Sequence, residues 1–90
     1  MAKDIRREDI RTLYRLLSDI TDPNGMEAFM EDLCTKKEIE NMAERIRAAK
    51  LLIEGRTYAQ VIEQTEISSA TLSRISRCVQ CGKGYSELLK

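Results

Sequence analysis

The stretch Thr57-Tyr-Ala-Gln-Val-Ile-Glu-Gln-Thr-Glu-Ile-Ser-Ser-Ala-Thr-Leu-Ser-Arg-Ile-Ser-Arg77 decides how this chain folds. It reads as two short helices separated by a tight turn. Thr57 stands three residues before Gln60, the spacing of a capping box, in which a hydroxyl and an amide satisfy backbone groups left open by the first helical turn. Ser68 is placed to cap a second helix in the same way. Between them, Gln64-Thr65-Glu66-Ile67 suits a turn and is too short for a loop. Val61, Ile62, Ile67, Leu72 and Ile75 are expected to meet in the angle between the helices. Ser69, Ala70, Ser73, Arg74 and Arg77 then fall together on the outward face of the second helix. Small and hydroxyl side chains with arginines, on a helix braced by another, suit insertion into the DNA major groove. The stretch is predicted to be a helix-turn-helix. Two residues depart from the general pattern of that motif. Ile62 stands where a small residue lets the helices cross closely. Glu66 stands in the turn where glycine is usual, which predicts a left-handed residue there at a cost of about 1 kcal/mol.

Upstream, Thr35-Lys-Lys-Glu38 is another capping box and opens the longest predicted helix, Lys36 to Glu54. Ile39, Met42, Ala43, Ile46, Ala49 and Ile53 give it a continuous apolar stripe, with Leu52 beside it. At about 1.5 Å per residue it is on the order of 28 Å long. Gly55 is expected to end it as a left-handed residue just past the helix. Further back, Thr21-Asp22-Pro23-Asn24-Gly25 breaks the chain, with Asp22 as N-cap and Pro23 as first helical position. The helix it opens carries Met26, Phe29, Met30 and Leu33 and closes at Cys34. Residues 4–20 form the first helix, with Ile10, Leu13, Leu16, Leu17 and Ile20 at spacings of three and four. Its Arg6, Arg7, Arg11 and Arg15 are interleaved with Asp4, Glu8, Asp9 and Asp19, the pattern of a solvated face. Downstream, Gly82 and Gly84 mark a bend, and Tyr85, Leu88 and Leu89 give a short final helix an apolar edge suited to a partner subunit.

The expected architecture is therefore all-α and a single domain: dimerisation helices over 1–54, the helix-turn-helix over 57–78 and a short C-terminal helix over 84–90. A 90-residue chain buries only roughly 60–65% of its unfolded surface, so its core is thin and association with a second copy is a common remedy. Formal net charge is zero. Residues 1–34 hold five basic and eight acidic side chains, whereas residues 35–90 hold ten and seven. From Ile67 to Ser86 the charged residues are Arg74, Arg77 and Lys83, without an acid. That is a local basic face on a neutral protein. No apolar run approaches the ~20 residues of a membrane span, and the first residues lack a signal peptide's apolar core. A cytoplasmic location and no membrane partner are expected.

Cys34, Cys78 and Cys81 are too few and too scattered for a disulfide scaffold. Cys78-Val-Gln-Cys81 has the spacing of a metal or redox pair, but the chain holds no histidine and no second pair to complete a zinc site. Reduced thiols, no metal and no cofactor are expected. With no histidine, no nucleophile elbow and no phosphate-cradling glycine loop, the chain does not read as an enzyme.

Cys34-Thr35, then Glu44-Arg-Ile-Arg-Ala-Ala-Lys-Leu-Leu-Ile-Glu-Gly-Arg-Thr-Tyr58, then Ser69-Ala-Thr-Leu-Ser-Arg-Ile-Ser-Arg-Cys78 resemble the Trp repressor superfamily, and within it the YerC/YecD-type branch. The likeness spans nearly the whole chain and is most specific over residues 44–78. It implies a helical homodimer whose subunits interlock through their N-terminal helices, with a short final helix returning to the dimer core. In the tryptophan-sensing member the corepressor lies between the long helix and the recognition helix, held by an arginine from each. The resemblance puts Arg45 and Arg74 at those positions. Ile75 replaces the glycine that follows the second arginine, which argues against tryptophan and leaves any small-molecule effector unidentified. Arg74 has two readings, a residue of the effector pocket or a direct DNA contact.

These readings converge on a homodimeric regulator of transcription that binds double-stranded DNA, a repressor by family. Ser69, Ala70 and Ser73 are expected at base edges. Arg77, Lys83 and Arg56 are expected at phosphates, with Ser68 and Thr57 adding backbone contacts at helix N-termini. The alternative is a protein-protein interaction module without DNA binding, motivated by the zero net charge. Steep weakening by salt, which follows from counterion release, separates the two.

Overall fold

The computed structural model describes residues 2–89, with side chains from residue 6 onward. Met1, Lys90 and the side chain of Asp4, which the readings above include, lie outside the described residues. The described residues form six α-helices and no strand: α1 (Ala2–Asp19), α2 (Pro23–Leu33), α3 (Lys36–Ile53), α4 (Tyr58–Gln64), α5 (Ser69–Cys81) and α6 (Gly84–Leu89).

The helix limits follow from the capping chemistry. Asp22 accepts a hydrogen bond from the Gly25 N–H at 3.1 Å, and Pro23 opens α2 where its missing N–H costs nothing. Gly55 is left-handed, with φ +94, as a C′ residue should be. Its N–H reaches Leu52 O and the Arg56 N–H reaches Leu51 O, each at 3.0 Å, so the last carbonyls of α3 are satisfied by a Schellman motif. Thr57 and Gln60 close the capping box: the Gln60 N–H donates to Thr57 Oγ1 at 3.2 Å and the Thr57 N–H donates to Gln60 Oε1 at 2.9 Å. Ser68 Oγ accepts from the Thr71 N–H at 3.2 Å and caps α5.

By contact density the chain divides into two compact units, Met1–Lys36 and Lys37–Lys90. In the first, Leu13, Leu17 and Ile20 of the α1 region and Met26, Phe29 and Met30 of α2 are half-buried. No side chain of α2 is fully buried. Ile10, Leu16 and Leu33, predicted on the apolar stripes, are 45%, 47% and 50% exposed.

The second unit carries the core. Ala48 and Ala49 of α3, Val61 of α4, and Leu72 and Ile75 of α5 form a buried cluster, and Leu51, Leu52, Ile67, Val79, Tyr85 and Leu89 pack against it. Ser86 Oγ donates to Val79 O at 3.0 Å and ties α6 to α5.

Three expectations are corrected here. Ile62 does not join the angle between α4 and α5 but is 41% exposed, while its neighbour Val61 is fully buried. One residue of a helix turns by about 100°, so only one of the pair can face α5. On α3, Ala48 enters the core, although the predicted stripe omitted it, and Ile46, on that stripe, is 47% exposed. Adjacent small residues let another element approach closely, which a bulkier pair would prevent. Glu66 is not left-handed: among the described residues no non-glycine residue has positive φ. The turn is set instead by Thr65. Its N–H and its hydroxyl both donate to Val61 O, at 3.0 and 2.8 Å, and its Oγ1 accepts from the Ile67 N–H at 3.4 Å. A side-chain turn of this kind supplies the reversal without a residue at positive φ.

Candidate nucleic-acid interface

The sequence makes α5 two-sided. Leu72, Ile75 and Ser76 are buried, and Ser69, Ala70, Ser73, Arg74 and Arg77 are exposed. At about 100° per residue, Ala70, Ser73, Arg74 and Arg77 share an arc of roughly 100° opposite the buried side. Around the middle of that arc stand one methyl, one hydroxyl and two guanidinium groups. No acid occurs between Ile67 and Ser86 to neutralise them.

The outward face is held at both ends. At its start the Ser68 hydroxyl accepts from the Thr71 N–H and donates to Thr71 Oγ1 at 3.1 Å, so its proton and one of its two lone pairs are engaged. At its end the Gly82 N–H donates to Cys78 O at 2.8 Å. A Cβ on Gly82 would lie 2.6 Å from that oxygen, so the close approach requires glycine. On the buried side, Gln80 Nε2 donates to Ser76 Oγ at 3.4 Å.

The other expected DNA contacts are spread along the same unit. Arg56 follows Gly55 in the link between α3 and α4, with its N–H in the α3 cap and its side chain exposed. Thr57 is exposed at the start of α4 with its Oγ1 accepting in the capping box. Lys83 is exposed in the link between α5 and α6.

Of the two arginines implied by the resemblance, Arg45 lines a cleft in the second unit. The cleft, about 840 Å³ in volume, lies between the first half of α3 and the segment from α4 into α5. Arg45 lines it, with Glu40, Glu44, Glu63, Glu66 and Thr71; Arg74 and Ile75 do not. Ile75 is 3% exposed inside the core cluster. Glu44 is a residue that sequence reasoning passed over: its Oε2 is buried without a hydrogen-bond partner. Nothing in the local sequence marks it, since a glutamate beside arginines on a long helix reads as an ordinary solvated residue.

Cys34 and Cys78 are half-buried free thiols and Cys81 is an exposed one. Among the described residues no group of three or more histidine, cysteine or acidic side chains could hold a metal ion, and no helix is long and apolar enough to cross a membrane.

Comparison with known proteins places this geometry among relatives. A sequence model of the family described as Trp repressor protein matches residues 8–90. The uncharacterised protein YerC of Bacillus subtilis (strain 168) is 33% identical over 84 residues, which cover 93% of this chain and 81% of YerC. The crystal structure of a TrpR-like protein from Eubacterium eligens superposes with a TM-score of 0.82 at 34% identity, covering 90% of this chain and 84% of that one. That of a candidate Trp repressor from Staphylococcus aureus gives 0.84 at 30% identity, covering 97% and 88%.

Proposed function

We propose, from the premise that the chain belongs to the Trp repressor protein family, that it is a DNA-binding transcriptional repressor acting as a homodimer through α4 and α5. The observation that carries this reading is the outward face of α5: Ala70, Ser73, Arg74 and Arg77 exposed on one arc, with Leu72, Ile75 and Ser76 buried behind them and Ser69 exposed at the start of the helix beside that arc. A helix fixed by its own core and capped at both ends can enter the major groove without reordering. Two such helices related by a dimer axis meet successive major grooves about 34 Å apart on a pseudo-palindromic site.

In this reading Ser69 and Ser73 donate to or accept from base edges, and Ala70 touches a thymine methyl. Arg77, Lys83 and Arg56 neutralise phosphates, with the N-termini of α4 and α5 at Thr57 and Ser68 adding backbone contacts. The protein works in the cytoplasm, without catalysis and without a cofactor. Any effector is a small molecule other than tryptophan. The family resemblance aligns Ile75 with the glycine of the tryptophan sensor, and Ile75 is here a branched residue buried in the core cluster, which supports a pocket unlike that of the sensor.

Selection from random oligonucleotides with the purified protein supplies the operator. Ser73→Glu then puts a carboxylate against the negative groove, and specific binding should be lost while helicity and solution mass stay unchanged. Unchanged operator affinity in Ser73→Glu removes α5 from the groove. If no duplex is bound even at low salt, the zero net charge is telling and the chain is a protein-docking module instead.

A further inference from the structure

We infer that Arg74 is the specificity-determining residue of the recognition helix, reading a guanine in each half-site, and is not an effector ligand; this rests on the DNA-binding reading of α5 above. Three observations carry it. Arg74 is exposed on the outward side of α5, one turn after Ala70. The cleft that contains Arg45 is not lined by Arg74. Ile75, the next residue, is 3% exposed within the core cluster, so the interior side of α5 at this level is already filled.

The reach of the side chain follows from helix geometry. Long helical side chains lean toward the N-terminus and cover the turn before their own Cα. An arginine at position 74 that leans this way covers Ala70, four residues earlier on the same side. The alanine methyl leaves that space open, and a guanidinium so placed comes level with the first turn, the part of a recognition helix that meets base edges. Arg77 leans over Ser73 instead, one turn farther from the helix tip. Ser69, Ala70 and Ser73 are too short to bond two atoms of one base. The arginine fork matches the O6 and N7 acceptors of guanine, and a lysine ammonium cannot reproduce the paired bonds.

The test uses the full chain and the operator obtained by random selection, with every single-base variant of one half-site measured in competition. Wild type should prefer guanine at one position by roughly 5- to 150-fold, the discrimination of a good bidentate contact. Arg74→Lys keeps the charge and should flatten that one position while leaving preferences elsewhere and the salt dependence unchanged. Arg74→Gln should lose the same preference. A uniform loss across all variants, with a shallower salt slope for Arg74→Gln, would make Arg74 a phosphate contact and overturn the inference alone. So would an unaltered preference profile in both variants without added metabolite, the outcome for an effector ligand. If wild type selects no duplex, the DNA-binding reading fails and this inference falls with it.

Discussion

Gly55 shows how much of this fold rests on single backbone positions. Its φ of +94 lies where a side chain is strained, although no atom stands within 4 Å of where its Cβ would be. The cost of a substitution there is conformational and not steric. Gly55→Ala should destabilise the protein by about 1 kcal/mol, lowering the thermal midpoint by roughly 4–8 °C. An unchanged midpoint in a circular dichroism melt would mean that the link between α3 and α4 relaxes freely. Gly82 is the opposite case. Its φ of −84 is ordinary, and the Cys78 carbonyl oxygen is what excludes a side chain. Glu66 belongs with neither, because the Thr65 hydroxyl makes the turn by hydrogen bonds and frees the next residue from any left-handed requirement.

At the scale of elements, α4 is the weak point. With seven residues it is too short to hold its shape by helix propagation and depends on its caps and on Val61 in the core. Thr57→Ala removes one half of the capping box and should cost about 0.5–2 kcal/mol, whereas Thr57→Ser should retain most of the stability. Thermal unfolding of the two variants side by side distinguishes them. Equal losses would show that packing, not the cap, fixes the start of α4. The same variants report on function under the proposed mechanism, since a frayed α4 no longer braces α5 at its angle. α5 is better protected: its buried face and both its ends are engaged, as befits the element assigned to the groove.

For the whole molecule, the apolar side chains left in solvent point to association. Ile10, Tyr14, Leu16, Leu33, Ile46 and Leu88 remain 45–84% exposed, while among the described residues the buried apolar core consists of five. A chain this small gains most by covering such surface with a second copy. The proposed homodimer then has a thermal midpoint that rises with protein concentration, because unfolding is linked to dissociation. It should sediment at twice the chain mass at micromolar concentration. A concentration-independent midpoint with a monomer mass would eliminate the dimer, and with it the two-groove mode of binding. The charge pattern acts at the same scale, since a neutral chain has little long-range attraction for DNA and must rely on the acid-free run from Ile67 to Ser86.

The helix limits, the caps at Asp22, Thr57 and Ser68, the left-handed Gly55, and the separation of α5 into an apolar side and a polar side were all legible in the amino-acid string. These are interactions between residues three or four apart, so their partners are present in the local string. The family resemblance was readable for a related reason, being carried by the same continuous run. It took the packed fold to show that Ala48, and not Ile46, turns to the core; that Val61 is taken and Ile62 left out; that Thr65 makes the turn; and that Arg45 lines a cleft whose lining lacks Arg74. Each of these depends on what a residue meets across a gap of many positions. Hydrophobic periodicity names the face of a helix to within about a residue, and one residue is about 100° of rotation. Packing between α3, α4 and α5 supplies that last rotation.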